Sequence, residues 1–379
     1  MKHIVVAGGS IAAATAVSTL RAHGWDGRIT LVTDEETPPY SRVPLSKGVL
    51  SGALDRGSVT LPALPDDVDV HLDTRATALD VQTRTVTLSR GTDLRYDGLI
   101  IATGSRPRRL APDGRQGELV VRTLADAAAI NARLRTARSA IVVGAGFLGM
   151  EVASTLRATG LAVTVIDRDP PLRRLTGHWL ADIVTAAPAE TGVDFVLAPR
   201  GVTLTGDPVT GVATADGQTL TADVVISAVG DIPNIEWLHN SGLRLAEGVV
   251  VDPWCQAAPS VVAAGDVATR QIRPDLYRRT PHWTNAVLQG RLAALNLLGV
   301  REPYAPDHYF WTEQFGLNIK IAGELPLQGT PILLEGDPSS RSLLAQWHRA
   351  GRPVAAATVN LPLPIVRLKR LATVAVERS

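Results

Sequence analysis

Residues 5–24 read VVAGGSIAAATAVSTLRAHG, and residues 140–160 read AIVVGAGFLGMEVASTLRATG. Each is a short apolar run, a glycine turn and an Ala/Leu-rich stretch, so each predicts a strand, a tight turn and a helix. The heptapeptide STLRAHG at 18–24 returns as STLRATG at 154–160, an offset of 136 residues (154 minus 18). That offset aligns Gly8 with Gly144, Ser10 with Gly146 and Ala13 with Gly149. The second copy has the full G-x-G-x-x-G fingerprint, whereas the first has Ser and Ala at its second and third positions. Two registered copies outweigh one lone fingerprint, because chance must reproduce the flanking elements as well.

In a dinucleotide-binding unit the first glycine permits the turn, the second lets a pyrophosphate approach the backbone, and the third allows close helix–strand packing. The helix start then presents free N–H groups and a partial positive charge to the phosphates. The candidate phosphate-facing residues are Gly8, Gly9, Ser10, Ile11, Ala12 and Ala13 in the first copy, and Gly144, Gly146, Phe147, Leu148 and Gly149 in the second. Ser at the second position adds only a small side chain with a hydroxyl, and Ala at the third is an accepted variant. The next strand of each unit should end in an acid that holds a ribose diol. RITLVTDEE supplies Asp34 and Glu35, and AVTVIDRD supplies Asp167. Asp167 favours NADH over NADPH, because a 2′-phosphate beside a carboxylate meets like charge. Arg168 next to it works the other way, since a guanidinium there could pair with that phosphate.

Across the chain, apolar strands alternate with Ala/Leu-rich helical stretches, the pattern of parallel α/β units. Strands are expected at 3–7, 28–33, 69–72, 85–88, 98–102, 140–143, 162–166, 223–229 and 260–264, and helices at 11–23, 124–135, 147–159, 178–190 and 283–298. A chain of 379 residues predicts two or three domains. A formal charge of +1 gives no reason to expect nucleic acid as a partner. No apolar run reaches the length a membrane-spanning helix needs, and the first strand starts too early for a signal segment, so a cytoplasmic location is expected. Cys255 is the only cysteine, which excludes an intramolecular disulfide, a C-x-x-C pair and a Cys-rich metal or iron–sulfur site. The eight histidines form no H-x-x-x-H pair.

Seven further stretches, in order and spacing, carry a family resemblance: PPYSRVPLSK at 38–47, YDGLIIATGSRPR at 96–108, GAGFLGMEVA at 144–153, VGDIPNIEWL at 229–238, VVAAGDVA at 261–268, HWTNAVLQGRLAA at 282–294 and YFWTEQFG at 309–316. With them the chain resembles the FAD-dependent, NAD(P)H-using ferredoxin reductases, a group that includes putidaredoxin reductase, rubredoxin reductase and the reductases of aromatic-ring dioxygenases. The resemblance implies an α/β fold with two Rossmann-like domains: a discontinuous FAD domain (1–108 and 231–303), an inserted NAD(P)H domain (109–230) and a small C-terminal α/β domain (304–379). It places Ala102, Thr103 and Gly104 where the chain crosses between domains, and Asp266 of the Gly265–Asp266 pair on the flavin's ribityl or pyrophosphate part. Read physically, Gly265 and Asp266 follow an apolar strand and precede a possible helix, although a Gly-Asp dipeptide alone is more often a turn.

The resemblance also puts Lys47 under the flavin, paired with Glu151, and these two are the candidate catalytic residues. Against it stand solvated charge for Arg42 and Lys47, and for Glu151 a place in the first helical turn, where the helix dipole favours any acid. Arg42, Arg108, Gly230 and His282 complete the candidate cofactor contacts, with Trp283 and Trp311 as possible walls of the flavin or nicotinamide pocket or as core. Pro281 stands where many relatives have an acid before H-W-T-N. The implied cofactors are FAD and NADH. The implied partner is a [2Fe-2S] ferredoxin that feeds a cytochrome P450 or other oxygenase.

Ferredoxins of this kind are usually acidic, so basic docking groups are expected. The candidates are Arg106, Arg108, Arg109, Arg278, Arg279 and the RLKR of 367–370, each of which alone reads as ordinary solvated charge. A disulfide or peroxide reductase would need a cysteine near R-V-P-L, where this chain has Val43. An NADH oxidase, a rubredoxin or quinone reductase, and a binding protein that has lost FAD are the other readings of the same scaffold.

Overall fold

Strand–turn–helix units rich in Val, Ile and Ala can bury both faces of a parallel sheet, and the chain does this twice. The computed structural model describes residues 1–55, 57–323 and 325–373; the last residues of the C-terminal domain expected to reach 379 lie outside them. The chain forms two units: Met1–Ser41, Gly57–Arg106 and Asp231–Asp307 make the first, and Arg42–Arg56, Pro107–Gly230 and His308–Ser379 the second.

The first unit is built on a six-stranded sheet in the order Gln256–Ala258, Val261–Ala263, Gly98–Ile101, His3–Ala7, Arg28–Val32, Val68–His71. Every pairing in it is parallel except that of Gln256–Ala258. The helices Ile11–Ala22 and Trp283–Leu297 belong to the core against it. Their crossing is close because residue 290 is glycine: a Cβ there would lie 2.4 Å from the Ala12 carbonyl oxygen. Ala12 and Ala13 are accordingly buried.

In the second unit a five-stranded parallel sheet runs Asp194–Leu197, Ala162–Asp167, Ser139–Val143, Val224–Ser227, Glu118–Leu119. The helix Phe147–Ala158 follows its central strand. The same unit holds a five-stranded antiparallel sheet, in the order Tyr309–Gln314, Leu317–Gly323, Arg352–Val359, Ser342–Arg349, Ile332–Asp337, with the short helix Ile365–Leu371. Residues 42–56 join this unit through side chains: Asn131 Nδ2 donates to the Val49 carbonyl at 3.0 Å, and Thr155 Oγ1 to that of Ser46 at 2.8 Å.

All nine expected strands and five expected helices are present, with ends shifted by a few residues at most except in one helix. That helix, expected over 178–190, begins at Arg173 and is interrupted at Gly177, where φ is +70°. A Cβ on Gly177 would lie 2.8 Å from the Leu327 carbonyl oxygen, so the break and the close approach require the same glycine. Among the described residues no helix is long and apolar enough to cross a membrane.

Candidate functional site

The two glycine turns share their backbone device. Gly8 has φ +130° and Gly144 φ +109°, conformations that L-residues rarely adopt. A Cβ at Gly8 would lie 2.1 Å from the Ala102 carbonyl oxygen, and one at Gly144 2.3 Å from that of Ala228. Each turn is thus pressed against the carboxyl end of the neighbouring strand, which is where ligands bind in open α/β sheets. The helices that follow, Ile11–Ala22 and Phe147–Ala158, have no acid in the first turn and no side-chain cap. By contrast Leu124–Leu134 carries a complete Thr123/Asp126 capping box. The helix starts at the glycine turns therefore keep the electropositive character that suits a phosphate.

The acids after the strands differ. Gly8 N–H donates to the Val32 carbonyl and Gly144 N–H to that of Ile166, each at 2.8 Å, so Val32 and Ile166 are equivalent and Thr33 stands where Asp167 does. Asp167 accepts from the backbone N–H of Ala145 and of Arg168, both at 2.6 Å, which fixes its carboxylate beside the second turn. Arg168 is exposed. In the first unit the acids lie one and two residues further on. Glu35 accepts from the Tyr40 hydroxyl at 2.5 Å, while Asp34 is exposed and 3.8 Å from Arg75.

Lys47 and Glu151, 104 positions apart, meet in an ion pair of 2.7 Å. Glu151 is only 7% exposed. Its carboxylate also accepts from Ser46 Oγ and from Thr312 Oγ1, each at 2.7 Å. The first-turn reading of Glu151 is corrected: the helix begins at Phe147, which makes Glu151 its fifth residue and leaves the first turn without acids. Three directed donors, and not the helix dipole, hold this carboxylate. Ser46 and Thr312 were not anticipated. Their signal was adjacency to Lys47 and the i, i+2 alternation of YFWTEQ, which puts Phe310, Thr312 and Gln314 on one strand face.

Around the A-T-G segment, Asn234 is a further residue that went unassigned. It donates from Nδ2 to the Thr103 carbonyl at 2.9 Å and accepts at its own carbonyl from Thr103 Oγ1 at 3.0 Å. Its backbone N–H donates to the Gly104 carbonyl at 3.0 Å. Gly265 N–H donates to Gln289 Oε1 at 2.9 Å, and Asp266 accepts from Ser105 Oγ at 3.5 Å. The possible helix after Asp266 is corrected to a single 3-10 turn, Gly265–Val267, followed by the strand Ala268–Arg273.

Trp283 opens its helix 39% exposed, with His282 at the N-cap. Trp311 lies on the strand face opposite Thr312; it stacks on Tyr309, ring centroids 5.9 Å apart, and packs with the core beneath Ile365–Leu371. Arg42 donates to the Arg122 carbonyl at 2.8 Å. Arg108 is exposed and its N–H reaches the Gly230 carbonyl at 2.9 Å.

Of the basic candidates, Arg279 is withdrawn as a docking group. Its guanidinium is bound to Asp231 at 2.7 Å and to the Asp266 carbonyl at 3.1 Å. Arg106 is paired with Glu236 at 2.6 Å, and Lys369 lies over the Tyr309 ring at 5.3 Å, whereas Arg367 and Arg370 are exposed. Cys255 is fully buried, and burial pushes its thiol up to about 12, so it packs as a small apolar group.

Residues 2–290 match the family model described as pyridine nucleotide-disulphide oxidoreductase, and residues 309–378 the one described as reductase C-terminal. The chain is 33% identical to a probable ferredoxin reductase of Castellaniella defragrans, over 98% of this chain and 93% of that protein. It is 34% identical to the ferredoxin–NAD(+) reductase component of a biphenyl dioxygenase system of Paraburkholderia xenovorans, over 94% and 89%. Its fold is similar to that in the crystal structure of a covalent putidaredoxin reductase–putidaredoxin complex, with a TM-score of 0.89 at 30% identity, covering 98% of this chain and 93% of that one.

Proposed function

Because this chain belongs to the pyridine nucleotide-disulphide oxidoreductase family and groups with its FAD-dependent ferredoxin reductases, we propose that it carries electrons from NADH to a [2Fe-2S] ferredoxin serving an oxygenase. The observation that carries this reading is the repeated turn: two glycines of positive φ, each against a strand-end carbonyl and each followed by an uncapped helix start. Such a cradle fits a pyrophosphate, and having two of them fits two dinucleotides.

In this reading residues 1–108 and 231–303 form the FAD domain, 109–230 the NAD(P)H domain and 304–379 the C-terminal domain. FAD would be held by the turn from Gly8 to Ala13, by Glu35 or Asp34 at the ribose and by Asp266, with Trp283 a wall of the pocket. NADH would lie on the turn from Gly144 to Gly149 with its adenosine ribose toward Asp167. Bound FAD would supply the redox chemistry, two-electron uptake from NADH and one-electron delivery to a ferredoxin, which these residues would align. The protein's contribution is alignment and charge: the Lys47–Glu151 pair is proposed as the group that tunes the flavin, in line with the resemblance. The exposed Arg367 and Arg370 are retained as docking charges for an acidic ferredoxin, and the location is proposed to be cytoplasmic.

Anaerobic stopped-flow reduction followed by turnover with a [2Fe-2S] ferredoxin tests the reading. NADH should bleach the flavin at least tenfold faster than NADPH, and ferredoxin reduction should slow as salt rises. A protein that consumes NADH and passes electrons to oxygen but not to ferredoxin is an oxidase and overturns it.

A further inference from the structure

The helix Phe147–Ala158 and the strand Tyr309–Gln314 meet in matched register. Phe147 packs on Phe310 with ring centroids 4.0 Å apart, Thr312 donates to Glu151 Oε1 at 2.7 Å, and Phe315 N–H donates to Ser154 Oγ at 2.7 Å. Residues 147, 151 and 154 share one helix face, and 310 and 312 share one strand face. Between the first two contacts the helix advances four residues, about 6 Å, and the strand two, about 6.7 Å, so those two stay in step, and the third comes from Phe315, just past the strand end.

Within this seam the hydrogen bonds have a direction. A carboxylate has no proton to give, so the Thr312 hydroxyl donates to Glu151 and its lone pairs accept from Gln314 Nε2 at 3.3 Å. Thr312, Gln314, Ser46 and Glu151 are all buried. Thr312 serves Oε1, while Ser46 and Lys47 both serve Oε2. Charge drawn toward the two hydroxyls is charge that Glu151 does not direct at the Lys47 ammonium.

We propose that Thr312, supported by Gln314 and joined by Ser46, is a positioning residue for the Lys47–Glu151 pair. It shares the carboxylate's charge and thereby leaves part of the lysine's positive charge available to reduced flavin. The inference rests on the functional reading above, in which the pair tunes the flavin. It makes the C-terminal sheet part of the redox machinery, although Thr312 touches no cofactor in this account.

The test is spectroelectrochemical titration of the FAD-loaded protein. Thr312→Val removes the donor at nearly constant volume, so Glu151 engages Lys47 more fully and the flavin becomes harder to reduce. The expected change is about fivefold in the reduction equilibrium, or about 20 mV to lower potential for a two-electron couple. Thr312→Ser restores the hydroxyl and should return the potential to within twofold of wild type. Ser46→Ala, on the other carboxylate oxygen, should shift it in the same direction and provides a second reading if Thr312→Val does not fold. Phe310→Leu disturbs the same helix–strand seam without touching the carboxylate and should leave the potential unchanged. Wild-type potentials in both Thr312→Val and Ser46→Ala overturn the inference alone, as does a shift in Phe310→Leu equal to that in Thr312→Val. A wild-type chain that takes up no FAD overturns the functional reading, and this inference with it.

Discussion

The turns at 8–13 and 144–149 perform the same backbone manoeuvre with different residues, and their differences separate what glycine does for the fold from what it does for a ligand. At the first position both need glycine, because positive φ and a strand carbonyl leave no room for a side chain. At the second position neither fold needs it. Gly146 has φ −76° and its nearest neighbour to an added Cβ is Leu175 Cδ1 at 3.9 Å, while Ser10 sits in extended backbone at φ −127°. The middle residue reverses the pattern: Gly9 faces Thr33, where a Cβ would lie 2.3 Å from Oγ1, and its counterpart is Ala145. At the third position the second turn is tight, a Cβ on Gly149 falling 1.8 Å from the Gly144 carbonyl oxygen, while the first turn buries Ala13 without exposure. The incomplete first fingerprint is therefore a redistribution of small residues around an intact turn.

This comparison ranks four substitutions. Gly149→Ala should do the most damage. Alanine gains about 1 kcal/mol of helix propensity, but the collision is with backbone and should cost about 4 kcal/mol. Thermal unfolding should show a fall of about 10 °C. Gly9→Ala meets Thr33, whose Cβ at 2.5 Å no side-chain rotation can move, so the turn itself must shift; about 1–3 kcal/mol is expected, with a matching fall in the urea midpoint. Gly146→Ser should leave stability within about 0.5 kcal/mol and raise the KM for NADH several-fold with little change in kcat, because the side chain stands where a pyrophosphate would approach. Ser10→Gly is the smallest change: stability within a few tenths of a kcal/mol and FAD affinity within about threefold, read by fluorescence titration. A large loss from Ser10→Gly would mean that the hydroxyl itself holds the ligand.

How much of this could be read from sequence follows from how local each signal is. The two strand–turn–helix units were legible because glycine turns, apolar runs and Ala-rich helices are encoded within about 20 residues, and their repetition supplied the register. The ribose acid of the first unit was less so, since Gly8 and Val32 are two residues further apart than Gly144 and Ile166 and the repeat slips there, placing Thr33 opposite Asp167. The Lys47–Glu151 pair came from the resemblance, because nothing local joins positions 104 residues apart. Its hydroxyl partners stayed hidden for the same reason: Thr312 reaches Glu151 across 161 residues. The C-terminal sheet left a weak trace, as its strand Arg352–Val359 buries a run of alanines and Ile332–Asp337 is exposed on every residue, so neither shows apolar alternation. Arg279 reads as a surface charge in RR and is instead committed to Asp231, a partner 48 positions away.

The central claim is a division of labour: the first turn holds FAD and the second holds NADH. The most direct measurement is the flavin content of purified Ser10→Asp and Gly146→Asp, followed by anaerobic addition of NADH. Ser10→Asp should lose FAD, while Gly146→Asp stays yellow with full FAD content but is no longer bleached by NADH, since both are N-cap positions of ordinary φ where the fold accepts an aspartate and a pyrophosphate does not. A Gly146→Asp protein that loses its flavin while Ser10→Asp keeps it would contradict the assignment outright.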